Sequence, residues 1–308
     1  MTHSRTIEIV APSGYPPDPA AAERGLERLR AQGHRVLAAE VAQRRHLRFG
    51  GTDAERAHDL NRLADPAREL PDIVLALRGG YGAVRILDSL DYVGLERRLA
   101  GAPVAICGHS DFTAIQLALF ARAGLVTFGG PMLSSNFGAE VVSTFTTERF
   151  WQALESPEFT VRESAAQAYE IDLTGTLWGG NLAMIVALIG TPYMPQIDGG
   201  ILFLEDVNEH PYRIERMLYQ LHHAGILARQ RAIVLGDFTG GKLSPYDNGF
   251  DLPAVVEQIA RVARLPIITG LRFGHGADLV TLPFGAKSRL QANADGFSLT
   301  VSGHPTLR

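Results

Sequence analysis

Short, fully apolar runs alternate with amphipathic stretches through the first half of the chain, the pattern of a parallel sheet with helices on its faces. The run Ile7 to Ala11 predicts a strand stopped by Pro12. Ala20 to Ala31 has helical periodicity and ends at Gly33, after which Arg35 to Ala39 returns to the sheet. Thr52-Asp53-Ala54-Glu55 is a capping box, in which hydroxyl and carboxylate each satisfy an orphan backbone donor, so a helix is predicted from about Asp53 to Ala64. Asp72 to Leu77 predicts a buried strand that breaks at Arg78-Gly79-Gly80-Tyr81-Gly82, and Val104 to Cys107 and Val126 to Phe128 predict two more.

Beyond about Glu155 the pieces become shorter and more β-branched, punctuated by Pro157, Gly175, Gly179-Gly180 and Gly199-Gly200. This predicts two domains, residues 1–155 and 156–308. In the second, Leu182 to Ile189 reads as a short apolar helix and Ile201 to Leu204 as a strand. Pro211 to His223 reads as an amphipathic helix with proline at a tolerated first-turn position. Strands at Ala232 to Leu235 and Leu279 to Leu282, with a helix from about Pro253 to Ala263 between them, complete the pattern.

Composition narrows the function classes. With 308 residues, 46% hydrophobic and 20% charged, the chain is expected to fold as a globular protein with a substantial core. A formal charge of −4 argues against nucleic acid as the main partner, and Arg44-Arg45 beside Arg48 reads as a solvated loop. One cysteine, Cys107, permits no intrachain disulfide and sits in an apolar strand as a small hydrophobe. The opening Met1-Thr2-His3-Ser4-Arg5-Thr6 leads into an apolar run too short for a signal peptide. No window reaches the roughly 20 apolar residues of a membrane span. A cytoplasmic protein is expected, with no metal site and no cofactor, since neither the Glu209-His210 pair nor the His222-His223 pair makes a zinc-binding pattern.

The most informative chemistry lies at Gly108-His109-Ser110-Asp111, between the strand Val104 to Cys107 and the helical stretch Phe112 to Leu119. A serine on such a turn is presented above the carboxyl end of the sheet, facing backbone N–H groups of the helix start. The usual elbow places glycine two residues before and two after the serine; Gly108 meets the first condition and Phe112 departs from the second. A serine nucleophile needs a base, and the base needs an orienting acid. His275 lies in Phe273-Gly274-His275-Gly276, a turn able to present an imidazole into a cleft, although a surface-turn histidine has the same local sequence. His109 is too close in the chain to serve its neighbour and is expected to pack in the turn. For the acid, Glu205 ends an apolar strand, where a carboxylate is costly without a partner. Asp206 and Glu209 compete with it, and strand alternation lets at most one of Glu205 and Asp206 face the cleft. The Gly79-Gly80-Tyr81-Gly82 loop fits neither the dinucleotide nor the P-loop spacing. It can instead supply an oxyanion donor, the Gly80 N–H converging with the Asp111 N–H.

Taken together, Arg78 to Gly82, Gly108 to Thr113, Leu204-Glu205-Asp206, Pro211 to Arg216 and Gly274-His275-Gly276 resemble the L,D-carboxypeptidase family of serine peptidases, the muramoyltetrapeptide carboxypeptidases. The resemblance covers nearly the whole chain. It implies a Ser-Glu-His triad at Ser110, Glu205 and His275, with Gly80 and Asp111 as oxyanion donors. It also implies a flavodoxin-like α/β first domain, a smaller β-rich second domain carrying the acid and base, and a homodimer. The expected substrate is a small peptide or muropeptide, cleaved at the L,D-peptide bond before a terminal D-alanine. A carboxypeptidase must also bind a free carboxylate, for which Arg78, Arg213 and Arg272 are candidates; Arg213 can instead pair with Glu209 one turn away. Two other readings remain at this level. One is a peptidase like the microcin C immunity protein, acting on an aminoacyl or peptidyl nucleotide. The other is a non-catalytic module that binds a small anion at Gly79 to Gly82 and the Ser110 turn.

Overall fold

The structure of the protein, a computed structural model, describes residues 4–164 and 169–307, so Met1 to His3 of the opening segment lie outside the described residues. Five of the apolar runs form one parallel sheet: β1 (Thr6–Val10), β2 (Arg35–Leu37), β3 (Ile73–Ala76), β4 (Ala105–Gly108) and β5 (Thr127–Gly129). Their order is β5-β4-β3-β1-β2, the flavodoxin-like arrangement, in which strand order reverses between β1 and β3 and opens a crevice at the carboxyl ends. All residues of β3 and β4 are buried, which is why these segments are apolar throughout rather than alternating.

Helices α1 (Pro19–Ala31), α2 (Asp53–Asn61), α3 (Tyr92–Leu99), α4 (Thr113–Ala123) and α5 (Thr144–Glu155) accompany this sheet. The capping box at α2 is formed as expected: the Thr52 N–H donates to Glu55 Oε2 at 2.7 Å and the Glu55 N–H donates to Thr52 Oγ1 at 3.2 Å. Helix α2 stops at Asn61 and Arg62–Ala64 tightens to a 3-10 turn, a shorter regular helix than the pattern predicts.

After α5 the chain enters a second, mixed sheet of β6 (Glu158–Glu163), β7 (Ile171–Asn181), β8 (Gly200–Val207), β9 (Gln230–Thr239) and β10 (Ile267–Thr269). Helices α6 (Leu182–Ala187), α7 (Pro211–His223) and α8 (Leu252–Ala263) lie between these strands in sequence. Strand β11 (Leu282–Phe284) follows, and the hairpin β12 (Ala286–Asn293) and β13 (Gly296–Ser302) completes the second sheet in the order β10-β9-β8-β7-β12-β13-β6. The expected strand at Leu279 to Leu282 is corrected here. Leu279 and Val280 give their N–H groups to Thr146 Oγ1 at 2.9 Å and to the Arg272 carbonyl at 2.7 Å, so no ladder forms until Leu282. From there β11 crosses back and pairs antiparallel with β5 at the edge of the first sheet.

The two sheets share their apolar cores: one buried cluster runs from Val10 and Val74 through α4 to Leu204 and Ile267. At the junction, the buried Asn181 N–H at the end of β7 donates to Thr113 Oγ1 in the first turn of α4 at 3.1 Å. Replacing Thr113 with valine keeps the shape and leaves that N–H unpaired. The variant is expected to lose about 1–3 kcal/mol of stability in urea-denaturation curves, and an unchanged midpoint would show that the bond contributes nothing at this joint.

Candidate active site

Ser110 lies one residue past His109, the residue that follows β4, and opens a single 3-10 turn, Ser110–Phe112, that runs into α4. Its φ of 61° is left-handed, a conformation that costs a non-glycine residue about 1–2 kcal/mol and is kept only where the surroundings impose it. The surroundings are visible. A Cβ on Gly108 would meet the Phe112 ring at 2.7 Å, so the aromatic side chain that departs from the usual elbow pattern fills the space beside Gly108 and is fully buried. The Asp111 carboxylate, also buried, accepts the Ala83 N–H at 2.9 Å and thereby ties the glycine-rich loop to the serine turn.

The three residues expected to act together come from three separate segments and meet. His275 Nε2 lies 3.1 Å from Ser110 Oγ, and His275 Nδ1 lies 2.7 Å from Glu205 Oε2. Glu205, near the end of β8, has no solvent exposure. Its second oxygen accepts from Asn181 Nδ2 at 3.1 Å, so both carboxylate oxygens are bonded. Burial works against a charged imidazole at His275, but the hydrogen bond and charge of Glu205, with Asp206 and Asp237 beyond, outweigh it and hold the histidine pKa above its ordinary value.

The competing acids are occupied elsewhere. A bulge between Leu204 and Asp206 interrupts the β8–β9 register. Asp206 accepts from Asn181 Nδ2 at 3.2 Å and from the Ala183 N–H at the start of α6 at 2.9 Å, without touching His275. Burial pushes its carboxyl up to about 6. Glu209 lies 3.7 Å from Arg213, the pairing that the helical spacing predicts. His109 packs in the turn, as expected: its Nδ1 bonds to the Gly130 carbonyl at 2.8 Å and its ring meets His275 edge-on at 5.3 Å. Burial and the neighbouring His275 push its pKa down to about 4, which keeps it neutral.

The glycine-rich loop lies against the serine. A Cβ on Gly79 would come within 3.0 Å of Ser110 Oγ and 3.4 Å of the Asp111 nitrogen, and the Gly80 N–H has no acceptor among the described residues. Of the three arginines, Arg272 gives its Nε to Glu163 at 2.9 Å and lies 3.8 Å from the centre of the Phe145 ring. Arg213 is exposed beside Glu209 and Tyr212. Only Arg78 adjoins the loop, its Nη1 donating to the Tyr15 carbonyl at 2.9 Å.

Two residues escape the sequence reading. Asn181 caps α6 and bonds to both acids of β8; asparagine directly before an apolar helical run is the legible part of that signal. Asp237, near the end of β9, accepts the Gly276 N–H at 3.1 Å, and a Cβ on Gly274 or Gly276 would strike its side chain at 2.8 or 2.5 Å. The glycines flanking His275 therefore let the turn close around Asp237. An acid ending an apolar strand is the same signal that singles out Glu205.

Two family models match the chain, the LD-carboxypeptidase N-terminal domain over residues 7–130 and the LD-carboxypeptidase C-terminal domain over residues 174–290. A probable murein peptide carboxypeptidase of Bacillus subtilis (strain 168) is 32% identical over 288 residues, 92% of this chain and 88% of that protein. The crystal structure of a muramoyltetrapeptide carboxypeptidase from Oxalobacter formigenes has the same fold, with a TM-score of 0.89 at 43% identity over 98% of this chain and 100% of that one. The microcin C7 self-immunity protein MccF of Escherichia coli is 26% identical over 314 residues, 90% of this chain and 87% of that protein. Matched in both halves by the family's models and by full-length relatives, the chain belongs to the LD-carboxypeptidase family and is a peptidase.

Proposed function

We propose that the protein is a serine carboxypeptidase that hydrolyses the L,D-peptide bond before a terminal D-alanine in murein tetrapeptides, through an acyl-enzyme. The observation that carries this reading is the continuous relay Ser110 Oγ, His275, Glu205 at 3.1 and 2.7 Å, assembled from three distant segments. The relatives bearing murein and muramoyltetrapeptide names support the substrate class.

In the reaction Ser110 Oγ attacks the carbonyl carbon of the L-centred residue while His275 Nε2 takes the hydroxyl proton. The carbonyl oxygen becomes an oxyanion facing the Gly80 and Asp111 N–H groups, each donor typically worth about 3 kcal/mol of barrier. Collapse breaks the C–N bond, and His275 passes its proton to the departing amine of D-alanine. Water then attacks the ester, gives its proton to His275 and releases the acyl product as Ser110 recovers its proton. Glu205 fixes the imidazole tautomer and stabilises the cation formed in both halves. No step calls for a metal.

The division at 155/156 belongs to the same proposal: residues 1–155 supply the nucleophile and both oxyanion donors, residues 156–308 the acid and base. So do the homodimer and the cytoplasmic setting that the resemblance implies; among the described residues no helix is long and apolar enough to cross a membrane. The nucleotide-cleaving alternative calls for an aromatic platform beside the site. Trp178 is buried with its Nε1–H on Gln230 at 2.8 Å, and Trp151 rests on His34 at 5.0 Å, which favours the peptide reading. Rates on a murein tetrapeptide and on an aminoacyl sulfamoyl adenylate separate the two.

Ser110→Ala is expected to lower turnover of the tetrapeptide by on the order of 10⁴-fold or more while the variant still binds it; full activity in that variant would remove Ser110 as the nucleophile. The base must be neutral to act, and the pKa of His275 is raised from 6.5. The acid limb of kcat/KM should therefore fall through a pKa above 6.5, and a limb below that value would contradict His275 as base. Asp237→Asn keeps an acceptor for the Gly276 N–H and removes one of the charges holding the histidine pKa up. Its acid limb should move to lower pH with KM little changed, whereas an unmoved limb assigns Asp237 a purely structural part.

A further inference from the structure

Three arginines around the glycine-rich loop are matched to acids. Arg44 donates through Nη1 to Asp59 at 3.0 Å, and Arg56 and Arg85 share the Asp53 carboxylate at 2.5 and 2.8 Å. Arg45, Arg48 and Arg78 differ: among the described residues none has an acidic partner at ion-pair distance. The solvated loop expected at Arg44 to Arg48 holds for the exposed Arg45 and Arg48, while Arg44 is tied down; Arg48 and Arg78 come together at Gly14, where a Cβ would lie 3.1 Å from Arg78 Nη1 and 3.4 Å from the Arg48 carbonyl oxygen.

That place is built rather than incidental. His46 and Phe49 exchange backbone hydrogen bonds at 3.0 and 2.9 Å, and Phe49 bridges to Gly14, which pins the 45–48 turn beside the loop after β1. The turn sets the Arg45 guanidinium 5.0 Å from the centre of the Tyr15 ring and that of Arg48 5.6 Å from the centre of the Tyr81 ring. Arg78 spends Nη1 on the Tyr15 carbonyl, and Nε and Nη2 have no acceptor among the described residues. Its guanidinium lies along Gly80, where a Cβ would be 3.4 Å from Nη1 and 3.6 Å from Nη2, and the adjoining Gly79 faces Ser110 Oγ. Desolvation and the charge of Arg48 both weaken the hold of Arg78 on its proton, with Asp111 and Tyr15 opposing them. Two like charges held together at a cleft gain from an anion placed between them.

We propose that Arg48 and Arg78 form the seat for the free carboxylate of the substrate's terminal residue, Arg78 binding through Nε and Nη2 and Arg48 closing over it from Tyr81. The seat rests on the peptidase reading and makes Arg48 a specificity residue. The chain then selects peptides that end one residue beyond the cleaved bond and discriminates against the same peptides with the terminus amidated.

The test compares a murein tetrapeptide with its carboxy-terminal amide, in the intact enzyme and in Arg48→Gln and Arg78→Gln. Arg48 is exposed and its replacement leaves the core untouched, so it remains informative if Arg78→Gln folds poorly. The unaltered enzyme is expected to prefer the free acid by about 10- to 100-fold in kcat/KM, and each variant to bring that ratio toward one. Equal losses on both peptides, or an unchanged ratio, would overturn the seat. Calorimetric titration of Ser110→Ala, with and without Arg48→Gln, distinguishes the two failures. Acid-selective binding that depends on Arg48 without any cleavage by the unaltered enzyme retains the seat and rejects the peptidase reading. Cleavage without arginine-dependent selectivity does the reverse.

Discussion

Everything at the site depends on a carboxylate placed where water cannot reach it. Glu205 has no solvent exposure, and an isolated charge there would cost several kcal/mol. The fold offsets that cost with two hydrogen bonds, one from Asn181 and one shared with His275. Because the carboxylate must be satisfied on both oxygens, the imidazole cannot rotate freely. Its other nitrogen is left aimed at Ser110. Stability and orientation are here the same requirement, met by the same bonds.

The neighbouring groups follow from it. Asn181 divides its amide between Glu205 and Asp206, because the parallel pairing of β7 with β8 sets Asn181 opposite Glu205, while the extra residue that shifts the β8–β9 register lies on β9. Asp206 is thereby committed to the start of α6. Asp237 takes the other side of the histidine, closing the glycine turn around its own side chain. His109, neutral and buried, supplies a ring edge against which His275 rests without adding a competing charge.

On the facing side the strain is in the backbone. Ser110 is held left-handed by the packing of Phe112 over Gly108 and by the Asp111 carboxylate bonded to the loop at Ala83. Ser110 and the glycine loop are thus tied together at the crevice of the parallel sheet. Glu205 and His275 belong to the part of the chain after α5, and Thr113 and β11 are where the two parts are fastened together. The bonds from Ser110 to His275 and from His275 to Glu205 are formed across that joint.

Much was legible along the chain because it is local. Apolar runs without alternation give the buried strands of the first sheet, and the Thr52-Glu55 box starts α2. An acid or a glycine-flanked histidine beside an apolar strand marks a place where a polar group must have a partner. Some features were missed although their signal is local. The strict in-and-out alternation of β12 is one, and Asn181 ahead of α6 is another. What the sequence could not decide is which partner each group has. Strand periodicity says that Glu205 and Asp206 point differently, but only the position of Asn181, set opposite Glu205 by the β7–β8 pairing, shows where each carboxylate ends. Likewise Arg48 and Arg78 are ordinary residues in sequence, and they come together only because a turn pinned at Phe49 and a loop tied to Asp111 meet in space. Hydrogen bonds and charges act over a few ångströms, and the distances that matter here span as many as 165 positions in the chain, so folding alone determines them.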